Sequence, residues 1–159
     1  MEKIEKPHSL SVGDLILYQQ GNELYAIAIE QNEAGEYIGK NDLYPLLNVD
    51  INDCYYIDIT SDILNSIPEI KSYPQKKSYS EKELTLYQVE VVSENCFVVE
   101  GETPPSPDVV FNIYQDERGF WINQEPLHTL NELQGYYRLK TGRNLNVDII
   151  EVQKVINKS

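Results

Sequence analysis

The residues able to do chemistry in this sequence are two histidines, two cysteines, 26 carboxylates and twelve tyrosines. A zinc site needs several His, Cys or carboxylate ligands converging on one ion, often with two of them one helical turn apart. His8 and His128 lie far apart, neither has a His or Cys three or four residues away, and the spacings to Cys54 and Cys96 match no zinc pattern. Asp50-Ile51-Asn52-Asp53 opens like a calcium loop, yet Tyr55 takes the sixth position, where the turn needs glycine, and Ser61 the twelfth, where a bidentate glutamate belongs. There is no Gly-rich phosphate loop and no Gly-x-Ser-x-Gly elbow. Acid/base pairs are available wherever two carboxylates approach, but no spacing singles one out. The expectation is a non-catalytic chain with no metal and no cofactor.

What remains is binding chemistry, and it is carried by charge and by tyrosine. The formal net charge is −13, and the segment from Asp14 to Glu69 holds eleven carboxylates against the single base Lys40. A one-signed surface of this kind repels nucleic acid and attracts basic partners. Glu30, Glu33, Glu36, Asp50, Asp53 and Asp58, with Tyr55 among them, are the candidate partner-binding residues. The alternative is a nucleic-acid contact through the locally basic stretch Lys71, Tyr73, Lys76, Lys77 and Tyr79, which would combine phosphate-binding lysines with stacking rings. Tyrosine supplies apolar area and a hydroxyl at small entropic cost. In Tyr55-Tyr56 and Tyr136-Tyr137 the two neighbours cannot both face a core, so one of each pair is expected near the surface.

These residues have to be positioned by a small β-rich fold. At 159 residues and 41% hydrophobic content the chain is sized for a single domain, 1–159, that buries a core. An acidic β section spans about 8–70. In it, Leu10–Tyr18 and Leu24–Ile29 flank the turn residues Gln20-Gly21-Asn22 as a hairpin, with a bulge or bend permitted at Gly13-Asp14. A further turn at 32–36 leads to a strand at Tyr37-Ile38. Tyr55–Ile59 reads as a strand running into a short helix capped by Thr60 or Ser61 and limited by Pro68. A loop follows at about 71–82, then a second β section at 83–123 with strands at 84–92, 96–99, 109–114 and 120–122. Pro104-Pro105-Ser106-Pro107 is read as a rigid connector. Thr129 and Glu132 form a capping-box signature, Leu130, Leu133 and Tyr137 repeat at helical spacing, and Gly142 suits the left-handed end, so a C-terminal helix covers 129–142. In the tail, Ile149, Val152, Val155 and Ile156 fall at helical spacing while their β-branching favours a strand. The fold class is α+β, an antiparallel sheet or partly open β-barrel with a C-terminal helix.

Both cysteines sit beside apolar runs and read as buried thiols. Met1–Lys6 has no apolar run of the signal-peptide kind, and no stretch of about 18 apolar residues occurs, so no membrane association and a cytoplasmic location are expected.

Three stretches together resemble a group of small proteins of unassigned activity from Bacteroidota and their phages and mobile elements. They are Leu10-Ser11-Val12-Gly13-Asp14-Leu15-Ile16, Tyr56–Leu64, and the helix motif in which His128, Leu130, Leu133-Gln134, Tyr137 and Thr141-Gly142 stand at fixed spacing. The resemblance implies a phage or prophage context, with the host cytoplasm as location, and carries over no catalytic residue. Joined to the acidic segment, it implies an inhibitor docking on a basic host protein such as a CRISPR nuclease.

Overall fold

The computed structural model describes residues 2–4, 10–41, 48–76, 83–91 and 108–158. The chain divides into two compact units, one made of 1–67 with 127–159 and the other of 68–126. The second unit is therefore an insertion between the two segments of the first.

In the first unit β1 (Leu15–Gln20), β2 (Glu23–Gln31), β3 (Tyr37–Lys40) and β4 (Asn48–Asp50) form an antiparallel sheet in chain order. Gly21, at φ 62°, supplies the left-handed residue of the tight β1–β2 turn. Ile16 pairs with Ile27, and these two pack with Ile4, Leu10, Ile29, Ile51 and Cys54 as a core on one face. Leu15, Leu17 and Ala26 lie on the opposite face and are buried as well, because α2 (Leu130–Thr141) packs on β1 and α3 (Ile149–Lys158) on β2. Burial on both faces is why β1 and β2 read as continuous apolar runs instead of alternating ones.

Two glutamines from the C-terminal helices complete this sheet. Gln134 Oε1 accepts from the Leu15 amide at 2.9 Å, and its Nε2 donates to the Gly13 carbonyl at 3.2 Å. Gln153 does the same for β2, accepting from the Ala26 amide at 2.8 Å and donating to the Leu24 carbonyl at 2.9 Å. Asn41 Nδ2 donates to the Ala26 carbonyl at 2.6 Å. Each amide side chain stands in for a strand that the sheet lacks, since an unpaired buried main-chain group costs about as much as a lost hydrogen bond.

In the second unit β5 (Ile70–Lys76), β6 (Glu83–Val91), β7 (Asp108–Asp116), β8 (Gly119–Ile122) and β9 (Glu125–Leu127) form an antiparallel sheet in chain order. The rows Ile70–Val89–Phe111 and Ser72–Tyr87–Ile113 run across it on one face, and their apolar members are buried. Here the strands do alternate, with one face buried and the other carrying exposed rings.

The α+β class holds, with antiparallel sheets, one of them curled as a half-barrel, and a C-terminal helix. Three local expectations are corrected. Leu10–Asp14 is a turn built around Gly13 at φ 96°, so the first strand starts at Leu15. Tyr55–Ile59 is no strand: it makes isolated bridges at Tyr55 and Asp58 only. The expected loop at 71–82 is strand as far as Lys76, with Pro74 on the outermost strand of the sheet, the place where strands admit proline. The tail, for which the sequence leaves helix and strand both open, is helical, α3 burying Val152 and Gln153 against β2. Lys77, Tyr79, Cys96 with its strand 96–99, and Pro104–Pro107 lie outside the described residues.

Candidate functional site

The acidic candidates divide into residues with local structural partners and residues that face solvent. Glu30 and Asp50 flank Ile38 in one cross-strand row, and Glu30 is paired with Lys40 at 3.3 Å. Glu33 and Glu36 lie exposed in the adjoining β2–β3 turn, which is closed by the Asn32 side chain accepting from the Glu36 amide at 2.8 Å. Asp50 caps a single 3-10 turn, Ile51–Asp53, by accepting from the Asn52 amide and side chain, both at 3.0 Å. The calcium-like segment is thus a self-capped turn. Burial, then the Asp53 and Asp50 carboxylates, push the Cys54 thiol up to about 12. Tyr55 bridges Leu17 and Lys3 through its backbone, and both it and Tyr56 are half-buried, so neither ring of this pair is fully enclosed.

Folding also changes the charge distribution. The acidic segment 14–69 receives Arg138, Lys140, Arg143, Lys154 and Lys158 from the returning C-terminal helices, and the first unit nets −7, from 15 carboxylates and 8 bases. Arg138 Nη2 reaches Asp14 at 2.7 Å, where the carboxylate is almost wholly buried and also accepts from the Ser11 amide at 3.0 Å.

Asp58 lines a cleft in this unit. The cleft, about 290 Å³, has an apolar floor of Leu17, Leu24, Ile57, Ile63, Val155 and Ile156, with Tyr56 alongside and Asp58, Asp62 and Lys158 among its polar lining. Bridging with Thr129 fixes the backbone at Asp58: the Ile59 amide donates to the His128 carbonyl at 2.9 Å and the Leu130 amide to the Ile57 carbonyl at 2.8 Å. Asp62 sits in the first turn of α1 (Ser61–Asn65), whose cap is the Thr60 hydroxyl accepting from Ile63 at 3.2 Å. Both carboxylates are exposed, and neither is ion-paired among the described residues.

The helix motif that carries the family resemblance does structural work in this fold. Leu130, Leu133 and Tyr137 are buried, Gln134 completes β1, the Thr141 hydroxyl donates to the Tyr137 carbonyl at 2.8 Å, and Gly142, at φ 71°, ends the helix. At the other end the Thr129 hydroxyl accepts from the Glu132 amide at 3.4 Å, while the Glu132 carboxylate meets that hydroxyl at 3.0 Å. His128 is exposed and contributes its carbonyl. Through Gln134–Gly13 and Arg138–Asp14, the N-terminal stretch and the helix motif are one spatial unit.

The nucleic-acid alternative is reshaped. Lys71 and Tyr73 alternate on one face of β5, and Lys76 is the last residue of that strand. Beside Tyr73 the structure brings a group that sequence reasoning missed: Tyr73–Leu86–Tyr114–Trp121 is one row across four strands. Next to it Asp116 Oδ2 accepts from Arg118 Nε at 3.1 Å and Nη2 at 2.9 Å, while Oδ1 accepts from the Arg118 amide at 2.8 Å and from the Trp121 indole at 3.3 Å. The guanidinium lies 4.9 Å from the Trp121 ring centre. The Arg118 hydrogen bond is the main cause that holds Asp116 at about 2, well below the carboxylate range. The signal was present: a two-residue turn at Glu117-Arg118 pairs Asp116 with Gly119, and Tyr114 with Trp121 by count.

No group of three or more His, Cys, Asp or Glu able to hold a metal occurs among the described residues, and no helix is long and apolar enough to cross a membrane. Comparison of the chain with known protein families, with curated proteins and with solved structures finds no match.

Proposed function

We propose that this chain is a non-catalytic binding module whose first unit takes a basic protein partner. The observation that carries the reading is the cleft beside α1 and α3. Its apolar floor fits the aliphatic stem of a lysine or arginine, and Asp58 and Asp62 fit the charged head. Lys158 offsets one of the two carboxylates, so the lining keeps a net negative charge. Glu33 and Glu36, exposed, and Glu30 with its Lys40 partner add a longer-range field that speeds association with a positively charged surface. With the phage-like motif, the partner becomes the nucleic-acid-binding surface of a host defence protein, a CRISPR nuclease in the concrete version, and the consequence is its inhibition in the host cytoplasm.

Titration of the chain into a purified guide-loaded CRISPR nuclease, read by target-DNA cleavage and by direct binding, tests this. Inhibition should weaken with added salt and be lost in Asp58→Lys/Asp62→Lys, with a smaller loss in Glu30→Lys/Glu33→Lys/Glu36→Lys. Binding and inhibition that survive both charge reversals would refute the cleft as the contact.

A further inference from the structure

The second unit carries a ligand site of a different chemistry. A cavity of about 510 Å³ is lined by Leu84, Tyr114, Asp116, Arg118, Trp121, Asn123 and Gln124. Tyr114 and Trp121 are direct cross-strand neighbours, and Tyr73 stands on the same face one strand beyond Leu86. Tyr73 is 45% and Tyr114 40% exposed. Exposed rings in a row on a sheet give up apolar burial that an interior position would supply, so the row asks for an occupant.

Two further observations describe that occupant. The first is backbone strain. Asn123 and Gln124, the central pair of the β8–β9 turn, hold φ angles of 48° and 70°. A turn of this kind favours glycine, above all at its second position, and a non-glycine residue there costs about 1 kcal/mol. Asn123 is a residue that tolerates such a conformation, whereas Gln124 holds an amide side chain at a strained position, and both line the cavity. The second is electrostatic. Residues 68–126 hold eleven carboxylates and five bases, a net of −6, which repels phosphodiesters and other anions. Arg118 is already neutralised by Asp116 in a two-pronged pair that also ties down the indole N–H. The lining thus offers two flat rings, of which Trp121 is held by Asp116 and Arg118, the Gln124 carboxamide, which both donates and accepts, and a neutral carboxylate–guanidinium pair.

We propose that this face binds a neutral, hydroxyl-rich oligosaccharide. Tyr114 takes the apolar C–H face of a sugar ring, with Trp121, one face of which the Arg118 guanidinium covers, beside it. Asn123, Gln124 and the Asp116–Arg118 pair take the hydroxyls, the few polar groups that orient a ligand in a mostly apolar site. Two strand spacings separate Tyr73 from Tyr114, about 10 Å, close to one disaccharide repeat of an extended β-linked glycan. Tyr73 is thereby a distal subsite. The site is independent of the cleft in the first unit.

Trp121 is the only tryptophan of the chain, so its emission reports the site directly. The full chain is titrated with cellohexaose, xylohexaose, laminarihexaose and chitohexaose, and in parallel with oligothymidylate and oligouridylate. A saturable emission change with at least one neutral sugar, weakened about tenfold in Tyr114→Ala, is expected, because one ring contact is worth roughly that factor. Gln124→Gly, which relieves the turn and removes an amide, should weaken sugar binding while the circular dichroism spectrum is retained. A sugar panel that leaves the emission unchanged overturns the proposal, as does a response to the oligonucleotides alone or sugar affinity unaltered in both variants.

Discussion

Asp14–Arg138 and Asp116–Arg118 are the same chemical pair put to opposite uses. The first joins residues 124 apart in sequence, with the Asp14 carboxylate almost wholly buried between a turn of the N-terminal segment and the C-terminal helix α2. The second joins residues two apart on a surface turn, with Arg118 largely exposed. The contrast extends to the units that contain them. The first unit takes main-chain partners for its sheet from helix side chains, Gln134 and Gln153, and so depends on groups far away along the chain. The second unit is assembled among the described residues from strands in chain order, each beside its sequence neighbour. Both sheets are chain-order hairpins, but the first adds long-range polar contacts from its C-terminal helices, while one face of the second carries exposed rings.

That comparison breaks most easily at Asp14. Asp14→Ala removes the buried acceptor shared by the Ser11 amide and Arg138, which keeps only its bond to Asn144, and about 3 kcal/mol of stability should be lost. Among the described residues the helices α1, α2 and α3 all lie in the first unit, so the midpoint of urea unfolding followed by helical circular dichroism is the measure. Asp116→Ala, the same change at the surface pair of the second unit, should move the midpoint read by Trp121 emission by less than Asp14→Ala moves the helical one. Equal midpoints for Asp14→Ala and the parent chain would end the distinction. Gln153→Leu comes next. It keeps the volume but leaves the Ala26 amide and the Leu24 carbonyl unpaired, and about 2 kcal/mol should disappear from the same transition. If Gln153→Leu is as stable as the parent, the glutamine is not acting as a substitute strand.

This division between local and distant contacts also decides what was legible in the sequence. Hairpins, caps and the α2 helix are written in neighbouring residues: Gly21 at a turn, Thr129 and Gly142 at the two ends of one helix. The strand at Ile70–Lys76 was hidden because its lysines, Pro74 and few aliphatics suit an edge strand with one solvated face, and composition alone does not separate that from a loop. Tyr55–Ile59 looked like a strand because Ile57 and Ile59 are buried, although its ladder partners are single residues of other segments. The carboxylates of the acidic segment were countable, but the bases that fold back on them, Arg138 above all, belong to a helix more than 60 residues further on. Of the cleft, only Asp58 was among the candidates, since its floor needs β1, β2, α1 and α3 in place.

A smaller effect separates the two units by its sign. Gln124→Gly removes the left-handed strain of a non-glycine residue at φ 70° and should raise the stability of the second unit by about 0.5–1 kcal/mol. Trp121 emission during urea unfolding reports it, because that tryptophan lies in the second unit. A stabilised variant that has also lost sugar affinity would show that the strain is kept for the site; an unchanged or lowered midpoint would show that Gln124 sits in the turn without cost.

The smallest expected signal is the titration of Asp116. The Arg118 hydrogen bond is the largest cause of its depressed pKa, and the ordinary value near 3.8 falls to about 2. A depressed carboxyl contributes stability that is present above the unfolded value and is lost as pH falls through the folded one. The pair should therefore stay ionised as other carboxylates protonate, and weaken only as pH approaches about 2. Followed by the carbon-13 shift of the Asp116 carboxyl, the native signal should hold from about pH 7 to about pH 3, a range in which an unperturbed aspartate becomes mostly protonated. A midpoint close to the ordinary value would mean that the pair does not persist in solution. The guanidinium would then not be held over Trp121, and the fixed ring orientation on which the second unit's surface depends would be gone.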